Sequence, residues 1–367
     1  MKKLRIAQIS TLWEKTPPSL YGGTERIASG ITEELVKRGH EVTLFATGDS
    51  ETSGKLESVY PRALYRDGIP WTSPLYPLLH ITNAMDKANQ FDIIHMHFNT
   101  RQDYVSLALS KYIKTPMVFT IHFVLPGEDE KEKQDRLALL KKYKDRNFIS
   151  ISKNQQSLKW MNFIGTAYNG IDFSNFTFND KPKDYLAWIG RFCNDKGAVE
   201  AIQVAKKVGK KLMMAGKIDW ANPDFKKYYE EEVKPQIDGK KVEYIGEVGE
   251  KEKIDLYSNA YALLNPIKWQ EPFGLVTVEA MACGTPVIAF NNGPVKEQII
   301  EGKTGFIVPE KNDKEETNID GMAEAVGKID SINRKDCQKQ AVDKFSVESM
   351  VNSYEELYQK AIAKNKN

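Results

Sequence analysis

The sequence has few cysteines, no long apolar run and almost no net charge, and each shortage excludes a class of protein. Its three cysteines, Cys193, Cys283 and Cys337, lie far apart without metal-ligand spacing, which favours free thiols in a reducing cytosol over a disulfide framework. No apolar stretch approaches the roughly 20 residues of a membrane-spanning helix, and no signal-peptide pattern opens the chain. We therefore expect a cytoplasmic protein with at most a peripheral contact on the inner membrane face.

The charge balance and the length narrow the possibilities further. Lysine and arginine together number 52 against 50 acidic residues, so the net charge of +2 argues against an extended nucleic-acid surface. A chain of 367 residues exceeds what one hydrophobic core usually supports, so two domains are expected. Local basic stretches such as 141–144 are more typical of a solvated helix face than of a lipid-binding site.

Strands and helices alternate in both halves of the chain. The run Leu4–Ser10 is a buried strand, a glycine loop and a helix follow it, and a second strand returns at 41–47, which predicts a parallel sheet. A polar segment from Phe173 to Lys183 separates this half from a new alternation of strands and helices. The predicted fold is α/β with two Rossmann-like doubly wound domains, 1–172 completed by 346–367, and 173–345. Residues 50–89 give an irregular, loop-like signal.

The first glycine loop is a candidate phosphate cradle. Gly22 and Gly23 follow the first strand and open a helix that carries Glu25 in its first turn. Without a Cβ, glycine lets the backbone approach a ligand closely. A flexible turn before a helix is an equally good interpretation of these residues alone.

Three histidines lie in predicted strands of the first half. His95 and His97 point the same way from one strand, but no further ligand cluster and no Asp-x-Asp pair accompanies them, so a metal site is not expected. His122 ends the next buried strand, at the edge where open α/β sheets keep their ligands. A histidine at that edge could form a hydrogen bond with a sugar hydroxyl, or could be a structural residue with its own protein partners. Trp71, in a proline-rich loop, either packs that loop down or stacks on an acceptor.

A basic pair follows the first strand of the second half. Gly190 and Arg191 end that strand, and Lys196 precedes the next helix. A guanidinium and an ammonium at such a turn could neutralise a diphosphate, although a solvated basic loop is the ordinary outcome for a single pair.

The most informative stretch runs from Glu271 to Gly284. A helix is predicted over 275–283, ended by Gly284 and Pro286. The helix start leaves the amides of Phe273, Gly274 and Leu275 without intrahelical partners, which suits an anion. Glu271 and Glu279 flank this positive spot, and carboxylates accept hydrogen bonds from sugar hydroxyls.

This stretch, Glu271-Pro-Phe-Gly-Leu followed by Glu279-Ala-Met-Ala-Cys-Gly-Thr-Pro, resembles the E-x7-E signature of the retaining glycosyltransferases of family four, which have the GT-B fold. Shorter runs are similar to the family's other motifs; they include the glycine loop, the Asp-x-x-His-x-His strand, Thr120-Ile-His122 and Gly190-Arg-x4-Lys-Gly197. The resemblance implies two domains facing across a cleft and a C-terminal helix that crosses back to the first domain. The residues themselves predict that this last helix begins at Ser346 and carries an apolar stripe formed by Val347, Val351, Tyr354 and Tyr358.

The resemblance also implies roles for the candidate residues. His122, Arg191, Lys196 and Glu271 would be catalytic, and His97, Glu25 and Trp71 would lie on the acceptor side. The donor would be bound by Gly22, Gly23, Gly190, Tyr244, Ile245, Phe273, Gly274, Leu275 and Glu279. The expected reaction is a metal-independent, retaining transfer of a hexose from a UDP- or GDP-sugar to an unknown hydroxyl acceptor. Two alternatives stay open: an epimerase of the same architecture, which would convert its nucleotide sugar without an acceptor, and a catalytically silent nucleotide-sugar-binding protein.

Overall fold

The computed structural model describes residues 2–19 and 22–365, and its internal contacts divide the chain into two compact units. Unit 1 comprises Met1–Asp172 and Ser346–Asn367, and unit 2 comprises Phe173–Phe345. The division after Asp172 falls where the polar segment of the sequence begins. Each unit has its own sheet and its own buried core.

In its described residues, unit 1 contains one seven-stranded sheet in which every neighbouring pair is parallel. Its strands are β1 (Arg5–Ile9), β2 (Glu41–Phe45), β3 (Lys55–Glu57), β4 (Ile93–Phe98), β5 (Met117–Ile121), β6 (Asn147–Ser150) and β7 (Phe163–Thr166). Its first helices are α1 (Gly23–Lys37), α2 (Leu75–Asp86), α3 (Val105–Leu109) and α4 (Gln134–Lys142). The strand order is β3-β2-β1-β4-β5-β6-β7, so the order reverses between β1 and β4. Open parallel sheets bind ligands outside the carboxyl ends of the strands at such a reversal.

Residues 173–345, all of which the structure describes, repeat this plan with a six-stranded parallel sheet. Its strands are β8 (Tyr185–Ile189), β9 (Lys211–Ala215), β10 (Val242–Tyr244), β11 (Ala262–Asn265), β12 (Val287–Phe290) and β13 (Gly305–Val308). Its helices are α5 (Ala198–Val208), α6 (Pro223–Tyr228), α7 (Glu250–Asn259), α8 (Leu275–Ala282), α9 (Val295–Gln298), α10 (Ile319–Val326) and α11 (Arg334–Phe345). The order β10-β9-β8-β11-β12-β13 reverses between β8 and β11.

The last helix, α12 (Val347–Lys364), returns to unit 1. It begins at Ser346, whose hydroxyl accepts a hydrogen bond from the backbone N–H of Ser349 at 3.3 Å, as the sequence predicts. Glu355 anchors the helix by accepting hydrogen bonds from Arg38 at 2.5 Å and His40 at 2.9 Å. The predicted apolar stripe is buried; its members are Val347, Val351, Tyr354 and Tyr358. The predicted fold class, two doubly wound sheets with a returning C-terminal helix, is confirmed.

Residues 50–89 are more ordered than the sequence suggests. Strand β3 and helix α2 lie in this region. Strand β3 has only three residues, too few for a recognisable alternation, and α2 carries Pro77 in its first turn. Proline is tolerated there because an N–H of the first helical turn has no intrahelical acceptor. The loop-like interpretation of residues 50–89 is therefore wrong for β3 and for α2.

In the described part of the chain, no helix is both long and apolar enough to cross a bilayer.

A buried arginine joins several segments of unit 2. Arg334, at the start of α11, donates from Nε to the carbonyl of Asn179 at 2.6 Å and from Nη1 to that of Ala260 at 3.0 Å. Its Nη2 donates to the carbonyl of Ser258 at 3.0 Å and to the hydroxyl of Thr285 at 2.6 Å. Burial lowers the pKa of Arg334 below its usual value, and these acceptors compensate for part of that desolvation.

We expect Arg334→Met to lower the free energy of unfolding by about 3 kcal/mol or more, because it leaves buried carbonyl groups without donors. Urea unfolding followed by circular dichroism measures this change. Lys335→Met is the matched control, since Lys335 is the next residue and is exposed. Equal effects of the two substitutions would show that Arg334 does not hold these segments together.

Candidate active site

The donor-binding residues predicted in unit 2 follow β8 and β11, the two strands between which the strand order reverses. Gly190 and Arg191 come directly after β8, and Glu271 lies in the segment between β11 and α8. Because parallel strands end at the same edge of the sheet, these segments lie side by side although some 75 residues separate them in sequence. The structure thus brings the two strongest motifs of the second half to one place.

An ion pair joins these two motifs. The ammonium of Lys196 donates to both carboxylate oxygens of Glu271, each at 2.9 Å. The side chains are 19% and 18% exposed, so both are largely shielded and still reachable from solvent. The ammonium also lies 5.5 Å from the ring centroid of Trp269. The sequence predicts separate roles for Lys196 and Glu271, and their direct contact is a finding of the structure.

Two glycines allow the loops around this pair to touch. Gly197 has φ +70°, and a Cβ there would lie 2.1 Å from the carbonyl oxygen of Pro266, which follows β11. Gly216 has φ +140°, and a Cβ there would lie 1.8 Å from the carbonyl oxygen of Gly190. Any side chain at either position would push the loops apart. Sequence reasoning missed both roles because a close approach between distant segments leaves no local pattern.

Arg191 and the segment after β10 complete this edge of the sheet. The guanidinium carbon of Arg191 lies 5.2 Å from the ring centroid of Phe225 in α6, a cation–π distance. The hydroxyl of Tyr244 donates to the carbonyl of Gly216 at 2.8 Å, and the N–H of Ile245 donates to that of Met214 at 2.9 Å. The predicted donor-binding residues Tyr244 and Ile245 are therefore tied by hydrogen bonds to the loop that touches Gly190.

The start of α8 is oriented by a glutamine. Gly274, the residue before the helix, has φ +83°, and Gln298 donates to the carbonyls of Phe273 at 2.8 Å and Gly274 at 3.3 Å. A trans peptide places its N–H opposite its C=O, so holding these two carbonyls turns the amides of Gly274 and Leu275 to the other side. Gln298 is 1% exposed. No local pattern in the sequence points to Gln298, since it lies 24 residues beyond Gly274.

Glu279 lies one turn into α8 and is 4% exposed. It accepts a hydrogen bond from Lys253 at 2.6 Å and from the hydroxyl of Tyr257 at 3.1 Å. Burial raises the pKa of Tyr257 well above its usual value, so the phenol stays a donor. A carboxylate has about four acceptor positions, so these two partners do not occupy all of them.

The glycine loop of unit 1 is partly packed and partly open. Gly22 has φ +142°, and a Cβ there would lie 2.7 Å from the Cβ of Pro18. A Cβ on Gly23 would meet no atom within 4 Å, so the backbone is accessible there. Glu25 is 4% exposed and accepts a hydrogen bond from Thr11, and burial raises its pKa. Glu25 therefore holds the β1–α1 loop, and Gly23 offers the open surface.

Two histidines of unit 1, His97 and His122, lie next to each other, and His122 is the more accessible of the two. His97 is fully buried, and its Nδ1 lies 3.0 Å from Nε2 of His122, which follows β5 and is half-buried. Burial lowers the pKa of His122 to about 3 and that of His97 well below its usual value, so both rings are neutral near pH 7. His97 can influence a ligand only through His122.

Trp71 is both packed against its own loop and partly exposed to solvent. Its ring lies 5.0 Å from that of Trp13 and is nearly parallel to that of Tyr65, 8° apart in plane at 6.5 Å. It nevertheless remains 47% exposed. The indole therefore packs the loop down and still presents a face to solvent.

Within the described residues, no group of three or more His, Cys, Asp or Glu side chains is arranged to hold a metal ion. The three cysteines are buried thiols, and burial raises the pKa of Cys283 and Cys337 to about 12.

Comparison with known proteins places both halves of the chain in one enzyme class. Residues 21–157 match the family model described as Glycosyltransferase Family 4, and residues 172–339 match that described as Glycosyl transferases group 1. An uncharacterized glycosyltransferase of Methanocaldococcus jannaschii is 26% identical over 349 residues, which cover 84% of this chain and 86% of the relative.

Solved structures show the same fold. Sucrose-phosphate synthase from Thermosynechococcus elongatus superposes with a TM-score of 0.78 at 20% identity, covering 98% of this chain and all of that one. Anabaena HepE in complex with UDP-glucose gives a TM-score of 0.71 at 17% identity, covering 97% of this chain and all of that one. The family models, the relatives and the two parallel sheets agree: the chain belongs to the family-4 glycosyltransferases and has the GT-B fold.

Proposed function

We propose that this glycosyltransferase moves a hexose from a UDP- or GDP-sugar to a hydroxyl acceptor, with retention of anomeric configuration and without a metal ion. The observation that carries the proposal is the Lys196–Glu271 ion pair, held beside the oriented amides at the start of α8. The pair joins a fixed cation to a carboxylate that can accept hydrogen bonds from sugar hydroxyls. It lies where the strand order of the sheet reverses, which is where such sheets bind ligands.

The positive groups of unit 2 suit a departing diphosphate. In this proposal, Arg191, the ammonium of Lys196 and the amides of Gly274 and Leu275 stabilise the charge that develops on the leaving group. The ammonium has three N–H groups, so it can bind a phosphate oxygen while keeping Glu271 as a partner. No divalent ion is then required to neutralise the diphosphate.

The carboxylates are assigned to hydroxyl groups of the donor. Glu271 accepts from the hexose and Glu279 from the ribose, since both keep acceptor capacity beside their lysine partners. The segment Tyr244–Ile245 lies against the base, and Gly22 and Gly23 lie against the diphosphate. His122 orients the hexose.

The reaction that we propose breaks the bond between the anomeric carbon and the phosphate oxygen and forms a bond to the acceptor oxygen on the same face. The acceptor proton passes to the departing phosphate, so no protein carboxylate is needed as a covalent nucleophile. The UDP-glucose bound to Anabaena HepE supports a nucleotide-sugar donor for this chain as well.

The acceptor side is assigned to unit 1, with Trp71 as its exposed stacking surface. We also propose that the protein is cytoplasmic, with a peripheral membrane contact if its acceptor is a lipid.

We expect one of the UDP-, GDP- or ADP-hexoses to raise the melting temperature of the full chain, because a ligand at about 100 times its Kd adds about 2.7 kcal/mol of stability. Differential scanning fluorimetry identifies it, and a coupled assay for released nucleotide then tests slow hydrolysis without acceptor. The assays are repeated in EDTA, which should change neither binding nor turnover. Loss of turnover in EDTA would refute metal independence.

The same assays distinguish the proposed transferase from the two alternatives, an epimerase and a catalytically silent nucleotide-sugar-binding protein. Conversion of the nucleotide sugar into an epimer without an acceptor would identify an isomerase. Binding without hydrolysis, and without transfer to any member of an acceptor panel, would identify a silent binding protein.

Lys196→Ala is expected to reduce transfer by at least about 100-fold, because it removes a fixed charge from the leaving group. Lys268→Ala is the matched control: its ammonium bonds Glu200 at 2.7 Å, and the two side chains are 17% and 10% exposed. Both variants lose a half-buried ion pair in unit 2, so their melting temperatures should fall by similar amounts. Equal activities of the two variants would contradict the charge role of Lys196.

Trp71→Ala should raise the acceptor KM several-fold and leave the donor Kd unchanged, because the indole is assigned to the acceptor only. Steady-state kinetics with each substrate varied in turn measure the two effects. A change confined to the donor Kd would show that Trp71 contacts the donor and not the acceptor.

A further inference from the structure

A continuous series of hydrogen bonds crosses the core of unit 1 from His122 to helix α12. His122 Nε2 lies 3.0 Å from His97 Nδ1, and His97 Nε2 lies 2.9 Å from Gln8 Oε1. Gln8 Nε2 donates to the Tyr358 hydroxyl at 2.9 Å, and that oxygen lies 2.8 Å from His95 Nδ1. All of these groups except His122 are fully buried, so water does not compete for their bonds.

The amide of Gln8 fixes the direction of the bonds toward His122. The structure places the amide oxygen of Gln8 toward His97, and since this oxygen only accepts hydrogen bonds, His97 then carries its hydrogen on Nε2. Burial keeps His97 neutral, and its Nδ1 therefore has a lone pair. His122 must then donate to it from Nε2, which leaves the lone pair of the His122 ring on Nδ1.

The bonds on the other side of Gln8 run in the same sense. Because the Tyr358 hydroxyl accepts from Gln8, its own hydrogen is available for Nδ1 of His95. His95 then donates from Nε2 to the Thr120 hydroxyl at 2.7 Å, which in turn donates to the hydroxyl of Tyr354 at 3.2 Å. From His122 to the Tyr354 hydroxyl, each group then donates to the next group in the series.

We propose that Gln8 and Tyr358 are positioning residues that hold His122 in the Nε2–H tautomer, so that His122 presents the Nδ1 lone pair to a ligand. Among the described residues no group donates a hydrogen bond to Nδ1, and His122 is only half-buried. Helix α12, far away in sequence, thereby determines the hydrogen-bonding character of a residue at the carboxyl edge of the sheet.

The consequence for the substrate rests on the proposed function. A neutral histidine with an Nδ1 lone pair accepts a hydrogen bond from a sugar hydroxyl and cannot donate one from that atom. His122 would therefore select a ligand with a hydroxyl donor at that position. A deoxy sugar, or one that offers only an acceptor there, would leave the nitrogen without a partner.

The tautomer is measurable without any substrate. The chain has five histidines, so the full protein labelled with ¹⁵N-histidine should give resolvable long-range ¹H–¹⁵N spectra. His122→Gln and His97→Gln assign the signals. We expect neutral Nε2–H patterns for His97 and His122 at pH 7.5. A proton on Nδ1 of either ring, or a charged ring, would overturn the proposal even if no further variant folds.

Tyr358→Phe removes the acceptor that orients the Gln8 amide, and we expect the two ring nitrogens of His122 to converge in chemical shift as both tautomers become populated. Tyr354→Phe is the matched control: it deletes a hydroxyl from the same buried helix face, but at the far end of the series. It should leave the spectra of His97 and His122 unchanged. Unchanged spectra in Tyr358→Phe would show that α12 does not set the tautomer.

Kinetics then connect the tautomer with transfer. We expect kcat/KM to fall about tenfold in Tyr358→Phe and to stay near the wild-type value in Tyr354→Phe. If the two hydroxyls had only structural roles, kcat/KM would fall by similar factors in both variants and would follow their melting temperatures. If the wild type shows the expected tautomer and no transfer with any donor, the proposed function fails while the positioning role stands.

Discussion

All neighbouring strands of a parallel sheet end at the same edge, and this constraint determines what the rest of the chain can do. In unit 2 the strand order reverses between β8 and β11, so the segments that follow these two neighbouring strands begin side by side at the edge where such sheets bind ligands. Lys196 follows one strand and Glu271 follows the other. Their ion pair is a consequence of topology, because nothing in the local sequence of either residue brings them together.

The sheet creates the edge, and a few small or buried residues determine its detailed shape. Gly197 and Gly216 let three loops approach to distances that no side chain would permit. Gln298 turns the peptides at the start of α8 so that their amides point away from its own side chain. These positions support the groups that carry the chemistry and contribute no charge themselves.

The sequence predicts some of these features and not others, for a physical reason. Periodicity and capping are local, so the fold class, the span of α8 and the Ser346 cap are all predictable and agree with the structure. Contacts between distant segments are not local. The roles of Gln8 and Gln298 were therefore missed, and Lys196 and Glu271 were recognised singly and not as a pair. The short strand β3 was missed because three residues do not establish a period.

The pairing of charges has a consequence for how a metal-free transferase would work. Glu271 and Glu279 each already bind a lysine, so the positive charge of each ammonium group is partly offset before any donor enters. In the proposed reaction, Arg191 and the backbone amides of α8 therefore share with Lys196 the stabilisation of the charge on the departing diphosphate. Amides do not titrate and are not neutralised by a carboxylate, but they act only if they point in the right direction. In the proposed reaction, the orientation that Gln298 imposes on two peptide groups would therefore matter as much as the formal charge of the lysine beside them.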